Sequence, residues 1–393
     1  MSSLRKIRYF IFLKDIFWLS ITAWGGPQAH FAMFIRTLVE KRGYIKEKDF
    51  LELVALCQVL PGPTSTQTLV ALGFKLGKAK LAYLTLLVWS LPGCFLMILC
   101  GVLFVYLGEA KISLDFMQFV QPVVIGLVCY SALNITQKVV NTKTGIFLVI
   151  FSTISAIIFR SAWVFPLVVV GGGLITSLKF NKHEKYQEKM FRIEWGNFFL
   201  FWGVLIFSAI LGYLTGALPI RLFENFYRNG SFIYGGGQVL IPVLLTEFVE
   251  VKKYLTETEF LSGFGLSQFI PGPVFSFAAF IGTLSMREYG VLGQILGGMM
   301  ASAGVFLPGT FIIFFVIRFW DDLKKVRFVK ASLEGINASA SGLVIGGGVL
   351  LLLPIANNWL YLLITCITFL VLKFTKISPP ILIFIALGMG FLF

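Results

Sequence analysis

Residues 81–107 carry no charged side chain, and a helix needs only about 20 such residues to cross a bilayer. The composition agrees with a membrane setting. Of 393 residues, 57% are apolar and 13% charged, roughly half the charged share of an ordinary soluble domain. So few charges cannot clothe a water-facing surface, which excludes a soluble enzyme. An all-α polytopic membrane protein of roughly 10–13 apolar segments is expected.

The 33 Lys+Arg exceed the 19 Asp+Glu, for a net charge of +14. Most of these cations sit in short connectors between apolar segments, as the positive-inside rule requires, so no nucleic-acid partner follows from them. The basic start Arg5, Lys6, Arg8 resembles a signal peptide. Its apolar run is broken by Lys14 and Asp15 and no small-x-small site follows, so it is expected to stay in the mature chain. Cys57, Cys94, Cys100, Cys129 and Cys366 all lie in apolar stretches without a CxxC pair, which implies neither a disulfide nor a metal.

The chain repeats itself. Residues 24–63 align with 234–273 at an offset of 210 without a gap. The identities run from Gly25/Gly235, Gly26/Gly236 and Gln28/Gln238 through Tyr44/Tyr254 and Glu47/Glu257 to Gln58/Gln268, Pro61/Pro271, Gly62/Gly272 and Pro63/Pro273. In all, 14 of 40 positions match, where chance at this composition gives ~3. Leu91-Pro92-Gly93 matches Leu307-Pro308-Gly309 further on. A first repeat is therefore expected over 1–178, a polar cytoplasmic linker over 179–195, and an extra helix plus the second repeat over 196–393.

Loop charges suggest that the copies are inverted. In copy one, the connector 36–48 carries five Lys/Arg and 108–115 carries one; in copy two, 246–259 carries two and 318–330 carries five. An exchanged bias puts matching loops on opposite sides of the membrane, the plan of many secondary transporters.

Each copy is interrupted at a GG element, read in copy one as Gly25-Gly26-Pro27, and at a PGP element. Pro removes a backbone donor and Gly permits positive φ, so Pro61-Gly62-Pro63 should split 49–77 into two pieces too short to span. A broken or re-entrant helix results, tolerated only inside protein or beside a water-filled cavity. The half-helix after Pro63 would present free N–H groups and the positive end of its dipole, and it opens on Thr64-Ser65-Thr66-Gln67. That is a cradle for an oxyanion. Gln28 and Gln58 add neutral donors. Copy two keeps Gln238 and Gln268 but follows Pro273 with Val274-Phe275-Ser276, so most of the polarity should come from copy one. Gly and Pro also serve as plain kinks in membrane helices, but two breaks recurring at matching positions beside recurring glutamines favour a site.

His30 is the only histidine in an apolar segment, and Glu52 sits at the edge of another. Either could couple transport to protons, and either could be structural. Leu240 stands opposite His30 in copy two, so no symmetric role is expected. Gly171-Gly172-Gly173 and Gly346-Gly347-Gly348 lack polar neighbours and read as packing. Without HExxH, GxSxG or a phosphate loop, neither an enzyme, a cofactor nor ATP-driven transport is expected.

The stretches WGGPQAH (24–30), EKRGYIKEKDFLELVALCQVLPGPTSTQ (40–67) and GGGQ to IPGPVF (235–275) resemble the chromate transporter (CHR) family, long-chain two-domain type. Trp24 stands where the family usually has Phe. The resemblance implies a multi-pass protein of the cytoplasmic membrane that exports chromate and confers chromate resistance. It marks Gly25, Gly26, Pro27, Gln28, His30, Gln58, Pro61, Gly62, Pro63, Thr64, Ser65 and Gln67 as site candidates. Their copy-two counterparts are Gly235, Gly236, Gln238, Gln268, Pro271, Gly272 and Pro273. Sulfate or another oxyanion is the alternative cargo, and a membrane enzyme or a channel the alternative class. Coupling ion and homo-oligomerisation stay open.

The inversion has a direct readout. In a cysteine-free background, single cysteines beside Lys41 and Lys253 should label from opposite sides of the membrane; labelling from one side contradicts it.

Overall fold

The computed structural model describes residues 3–24, 26–109, 117–139, 142–159, 164–178, 194–234, 237–320, 326–375 and 377–392. Gly25, Gly235, Gly236, most of the linker and most of the loop 108–115 lie outside the described residues, as do the side chains of Gln28 and Gln238. No strand occurs among the described residues. Also among the described residues, four helices are long and apolar enough to cross a membrane: Thr64–Gly108, Gly196–Thr215, Arg287–Val316 and Ala331–Leu352. Six shorter apolar helices accompany them.

The first helix, α1 (Ser3–Thr22), ends just before the GG break, and α2 (Gly26–Phe34) begins on Gly26 at φ +75°. α2 runs on into a π-helical turn, Ile35–Lys41. α3 (Glu47–Val59) stops at Leu60, and the chain turns through PGP into α4 (Thr64–Glu109). Proline supplies the stop, since it cannot donate to a continuing helix. α4 is two arms. Gly77 (φ −147°) and Lys78 (φ 58°) leave helical geometry, and the arms fold against each other where a Cβ on Gly73 would stand 3.1 Å from Ala82 Cα. α5 (Val120–Val139), α6 (Lys143–Phe159) and α7 (Val164–Ser177) complete the first half.

The second half opens with α8 (Gly196–Thr215), which ends on Gly216 at φ +65°, and the amphipathic α9 (Leu218–Phe232). There follow α10 (Gly237–Leu245), a π-helical turn Thr246–Val251, α11 (Glu257–Ser267), a 3-10 turn Val274–Ser276 and α12 (Phe277–Ser285). α13 (Gly290–Val316), α14 (Arg327–Leu352), α15 (Trp359–Phe374) and α16 (Pro379–Leu392) finish the chain.

Backbone details recur at the offset of 210. Gly62 (φ 118°) answers Gly272 (φ 103°), and Gly43 (φ 60°) answers Lys253 (φ 54°). Past each π-turn the same bonds close the chain: Tyr44 N–H to Leu38 O at 3.0 Å, and Tyr254 N–H to Phe248 O at 2.9 Å. Lysine adopts this left-handed conformation at a cost of about 1–2 kcal/mol, so the turn at Lys253 is imposed by its surroundings.

Compactness divides the chain differently from the sequence copies. One unit takes Met1–Leu103, Ile193–Ser231 and Ser267–Arg318; the other takes Phe104–Arg192, Phe232–Leu266 and Phe319–Phe393. Each draws on both copies. In the second unit, α14 packs along α6 and α7 through small residues. Gly172 meets Ser339 and Gly335, a Cβ on Gly346 would stand 2.7 Å from Ala156 Cβ, and Thr153 Oγ1 donates to Gly342 O at 2.9 Å. The glycine runs at 171–173 and 346–348 thus let helix backbones approach.

In the first unit α12 and α13 pack closely against each other. Gly282 and Gly297 face each other, and a Cβ on either would meet the other's carbonyl. Overpacking of this kind costs typically 1–3 kcal/mol. Gly282→Val or Gly297→Val should therefore lower the unfolding temperature in detergent. Gly171→Val, where nothing lies within 4 Å, should leave it nearly unchanged.

Candidate functional site

Both PGP breaks lie in the first compact unit, and each is seated on backbone that needs partners. At the first break, Gln67 Nε2 donates to Pro61 O at 2.6 Å and to Gly309 O at 3.3 Å. A Cβ on Gly62 or on Gly309 would run into the Gln67 amide, at 2.9 and 2.8 Å respectively. At the second break, Gly272 N–H donates to Ala23 O at 2.8 Å, and Trp24 Nε1 donates to Phe269 O at 2.8 Å. A Cβ on Gly93 would lie 3.3 Å from Pro271 O. The pairing is therefore crossed. The LPG glycine of copy two supports the PGP of copy one, and the LPG glycine of copy one supports the PGP of copy two.

The half-helix after Pro63 is buried from its first residue: Thr64, Ser65, Thr66, Gln67 and Thr68 are all buried. Its first closed turn is Gln67 N–H to Pro63 O at 2.8 Å. The N–H groups of Thr64, Ser65 and Thr66 have no carbonyl to reach within their own helix, which is the ordinary state of a helix start. They and the dipole form a region of positive potential enclosed by protein, where a charge-assisted hydrogen bond gains strength.

Aromatic residues wall this region. Trp89 is fully buried and donates through Nε1 to Thr66 Oγ1 at 3.0 Å. His30 stands edge-on to Trp89 with ring centroids 5.4 Å apart, and Phe34 lies 5.3 Å from the same indole. His30 Nδ1 is 3.3 Å from Ser65 Oγ, while its Nε2 is buried without a partner. The sequence separates His30 from Ser65 by a whole helix and a turn; the fold brings them together.

The remaining candidates are distributed less simply. Gln58 is exposed on α3 and Glu52 is half-buried there. Gln268 donates to Ser267 Oγ at 3.3 Å. Gln67 offers no free donor, since both N–H groups of its amide go to carbonyls, and Oε1 is its unpartnered atom. After Pro273 the chain makes a 3-10 turn with Ser276 N–H to Pro273 O at 2.9 Å, and its side chains are Val274, Phe275 and Ser276. Trp89 had no motif to reveal it, because a tryptophan inside an apolar run reads as core or as lipid contact.

Beside the first π-turn a cavity of ≈ 520 Å³ is lined by Met33, Arg36, Thr37, Glu40 and Lys41. The loop that follows is tied to α1. Arg42 Nη2 and Tyr44 Oη each reach the buried Asp15 carboxylate at 2.6 Å. Burial, and then the bond to Asp15, push the Tyr44 phenol above its ordinary range, so it remains a donor at physiological pH. The aspartate that interrupts the first apolar run is therefore an anchor for the loop that follows α2. No group of three or more His, Cys, Asp or Glu suited to a metal occurs among the described residues.

The fold and the enclosed, donor-rich break define a polytopic helical membrane protein with a polar site inside it. Comparison with known sequences names the group. The chromate transporter family profile matches residues 10–177 and again 220–391, so the chain belongs to the chromate transporter family. It is 26% identical to an uncharacterized transporter of Methanocaldococcus jannaschii, over 95% of this chain and 92% of that one. It is 25% identical to a chromate transport protein of Cupriavidus metallidurans, with 93% and 88% covered, and 28% identical to one of Pseudomonas aeruginosa, with 82% and 76% covered. No solved structure matches.

The Gln67 clamp gives a prediction independent of substrate. Gln67→Leu leaves the Pro61 and Gly309 carbonyls without that donor, at a cost of about 1–3 kcal/mol for a buried unpaired group. The unfolding temperature should drop, whereas Gln58→Leu on the exposed face should leave it unchanged.

Proposed function

We propose that this protein is a secondary transporter that exports chromate, or a tetrahedral oxyanion of the same shape, across the cytoplasmic membrane and so confers chromate resistance. The observation that carries the reading is the start of α4. It is the one PGP break of the two that opens on three hydroxyl residues in a row, all buried, at a helix terminus enclosed by protein. Family membership supports chromate as the cargo. Sulfate is the second reading, since N–H and O–H donors recognise the shape and charge that the two anions share.

A dianion stripped of water inside a membrane needs several aligned donors, because even one bare charge at mid-membrane costs roughly 2.5–3.5 kcal/mol on insertion scales. In this reading the backbone N–H groups of Thr64–Thr66 and the hydroxyls of Thr64 and Ser65 hold the anion. By motif, Gly25, Gly26, Pro27, Pro61, Gly62 and Pro63 belong to the two breaks, and Gln28 and Gln58 are further candidate donors. In copy two, Gly235, Gly236, Gln238, Gln268, Pro271, Gly272 and Pro273 are the matching candidates by motif, and the run after Pro273 lacks the hydroxyls of copy one. Alternating access arises from exchange between two inverted copies, which offer two related conformations from one fold. His30, 3.3 Å from Ser65 Oγ, carries the proton or balances the anion charge, with Glu52 as the outlying carboxylate.

The test is uptake of labelled chromate into inverted vesicles, with sulfate as competitor and with the proton gradient collapsed. Saturable uptake that falls with the gradient is expected; absence of saturable uptake contradicts the reading. Thr64→Val and Ser65→Ala should each weaken apparent affinity by roughly tenfold to a hundredfold, the equivalent of about 1.5–3 kcal/mol for a hydrogen bond to a charged group. Ser276→Ala should cost far less. His30→Gln should flatten the pH dependence of transport, and an unchanged profile would leave His30 a structural residue.

A further inference from the structure

The amphipathic α9 carries buried polarity that the break at Pro63 does not use. Leu222, Asn225, Phe226 and Asn229 recur at i, i+3, i+4 and i+7 and are all buried, with Asn225 at 3% and Asn229 at 4% exposure. Both Nδ2 atoms lack a hydrogen-bond partner. Buried amide donors are ordinarily paired, and leaving one unpaired costs free energy. Two of them one turn apart on a single face are not a packing solution, since leucine would fill similar volume without that cost.

The orientation of Asn225 is held from within α9. Arg228 Nη2 donates to Asn225 Oδ1 at 3.3 Å, and Arg228 Nε is itself held by Glu224 Oε1 at 3.0 Å. The carbonyl of Asn225 is thus engaged and its two N–H groups are left over. Unpaired donors call for a ligand rich in acceptors and repel a cation. A fully deprotonated tetrahedral oxyanion has only acceptors.

α9 also lies against the support of the first break. A Cβ on Gly230, next to Asn229, would stand 2.8 Å from Val305 O and 3.2 Å from Pro308 Cγ of α13. The following residue, Gly309, faces Gln67 and Pro63. One helix turn of α13 therefore touches both α9 and the first break, all within one compact unit.

We propose that Asn225 and Asn229 form a second donor station for the transported oxyanion, on α9 and separate from Thr64–Thr66. The proposal rests on the oxyanion reading given above. It is tested on the full chain purified in detergent, by equilibrium dialysis with labelled chromate and with labelled sulfate, alongside thermal unfolding without ligand. The double variant Asn225→Leu with Asn229→Leu should unfold at the same or a higher temperature, because it removes two unpaired buried donors, yet bind the anion at least about tenfold more weakly. Asn225→Asp keeps the shape and the Arg228 contact while replacing a donor by an acceptor. It should weaken binding by at least the same factor without loss of fold, and it decides the matter should the double variant not fold. Unchanged affinity in Asn225→Asp, or affinity lost only in proportion to lost stability, overturns the proposal. Wild-type protein that binds neither anion overturns the transport reading and this proposal with it.

Discussion

Backbone N–H and C=O groups inside a membrane must be satisfied by the protein itself, and most of this fold follows from that requirement. A helix satisfies its own groups everywhere except at its ends. Placing two PGP breaks within apolar sequence creates four such ends away from bulk water. The crossed contacts answer them: Gln67 bridges Pro61 O and Gly309 O, and Gly272 N–H reaches Ala23 O. Each break depends on a glycine of the other copy, so neither could be built from one copy alone.

What is left unsatisfied is then informative. The N–H groups at Thr64–Thr66 stand free of their own helix, and His30 Nε2 and Gln67 Oε1 are buried without partners. Unpartnered buried atoms occur elsewhere too, the α9 asparagines among them, but here they stand beside the break whose sequence is richest in hydroxyls. The second break has a similar glycine turn, with Gly272 at φ 103° against 118° for Gly62, but a 3-10 start whose side chains are Val274, Phe275 and Ser276. Duplication supplied two frames. Divergence left polarity in one, which fits a single anion site better than two equivalent ones.

Much of this was legible in the sequence because its causes are local. Proline stops α3 and glycine turns the chain whatever surrounds them, so the breaks and the short helices beside them follow from Pro61-Gly62-Pro63. The loop-charge pattern and the 210-residue offset are likewise properties of the chain alone. The partners were not legible. Nothing in the neighbourhood of Gln67 says that its amide is held by Gly309, or that Trp89 donates to Thr66. These depend on which helices meet, and the compact units mix the two copies. Gln67 reads in sequence as a donor for a ligand, and folding commits that donor to backbone carbonyls. The α9 asparagines escaped notice because an i, i+4 pair in a half-polar helix looks like solvated surface until burial is known.

The central claim is that one oxyanion is held at the start of α4. Selenate has the same tetrahedral shape and charge as chromate, and selenium scatters anomalously. Crystals of the protein grown with selenate, measured at the selenium edge, should show an anomalous peak within hydrogen-bond reach of the Thr64, Ser65 and Thr66 N–H groups. A peak beside Val274–Ser276 instead, or none within the first compact unit, would contradict the account.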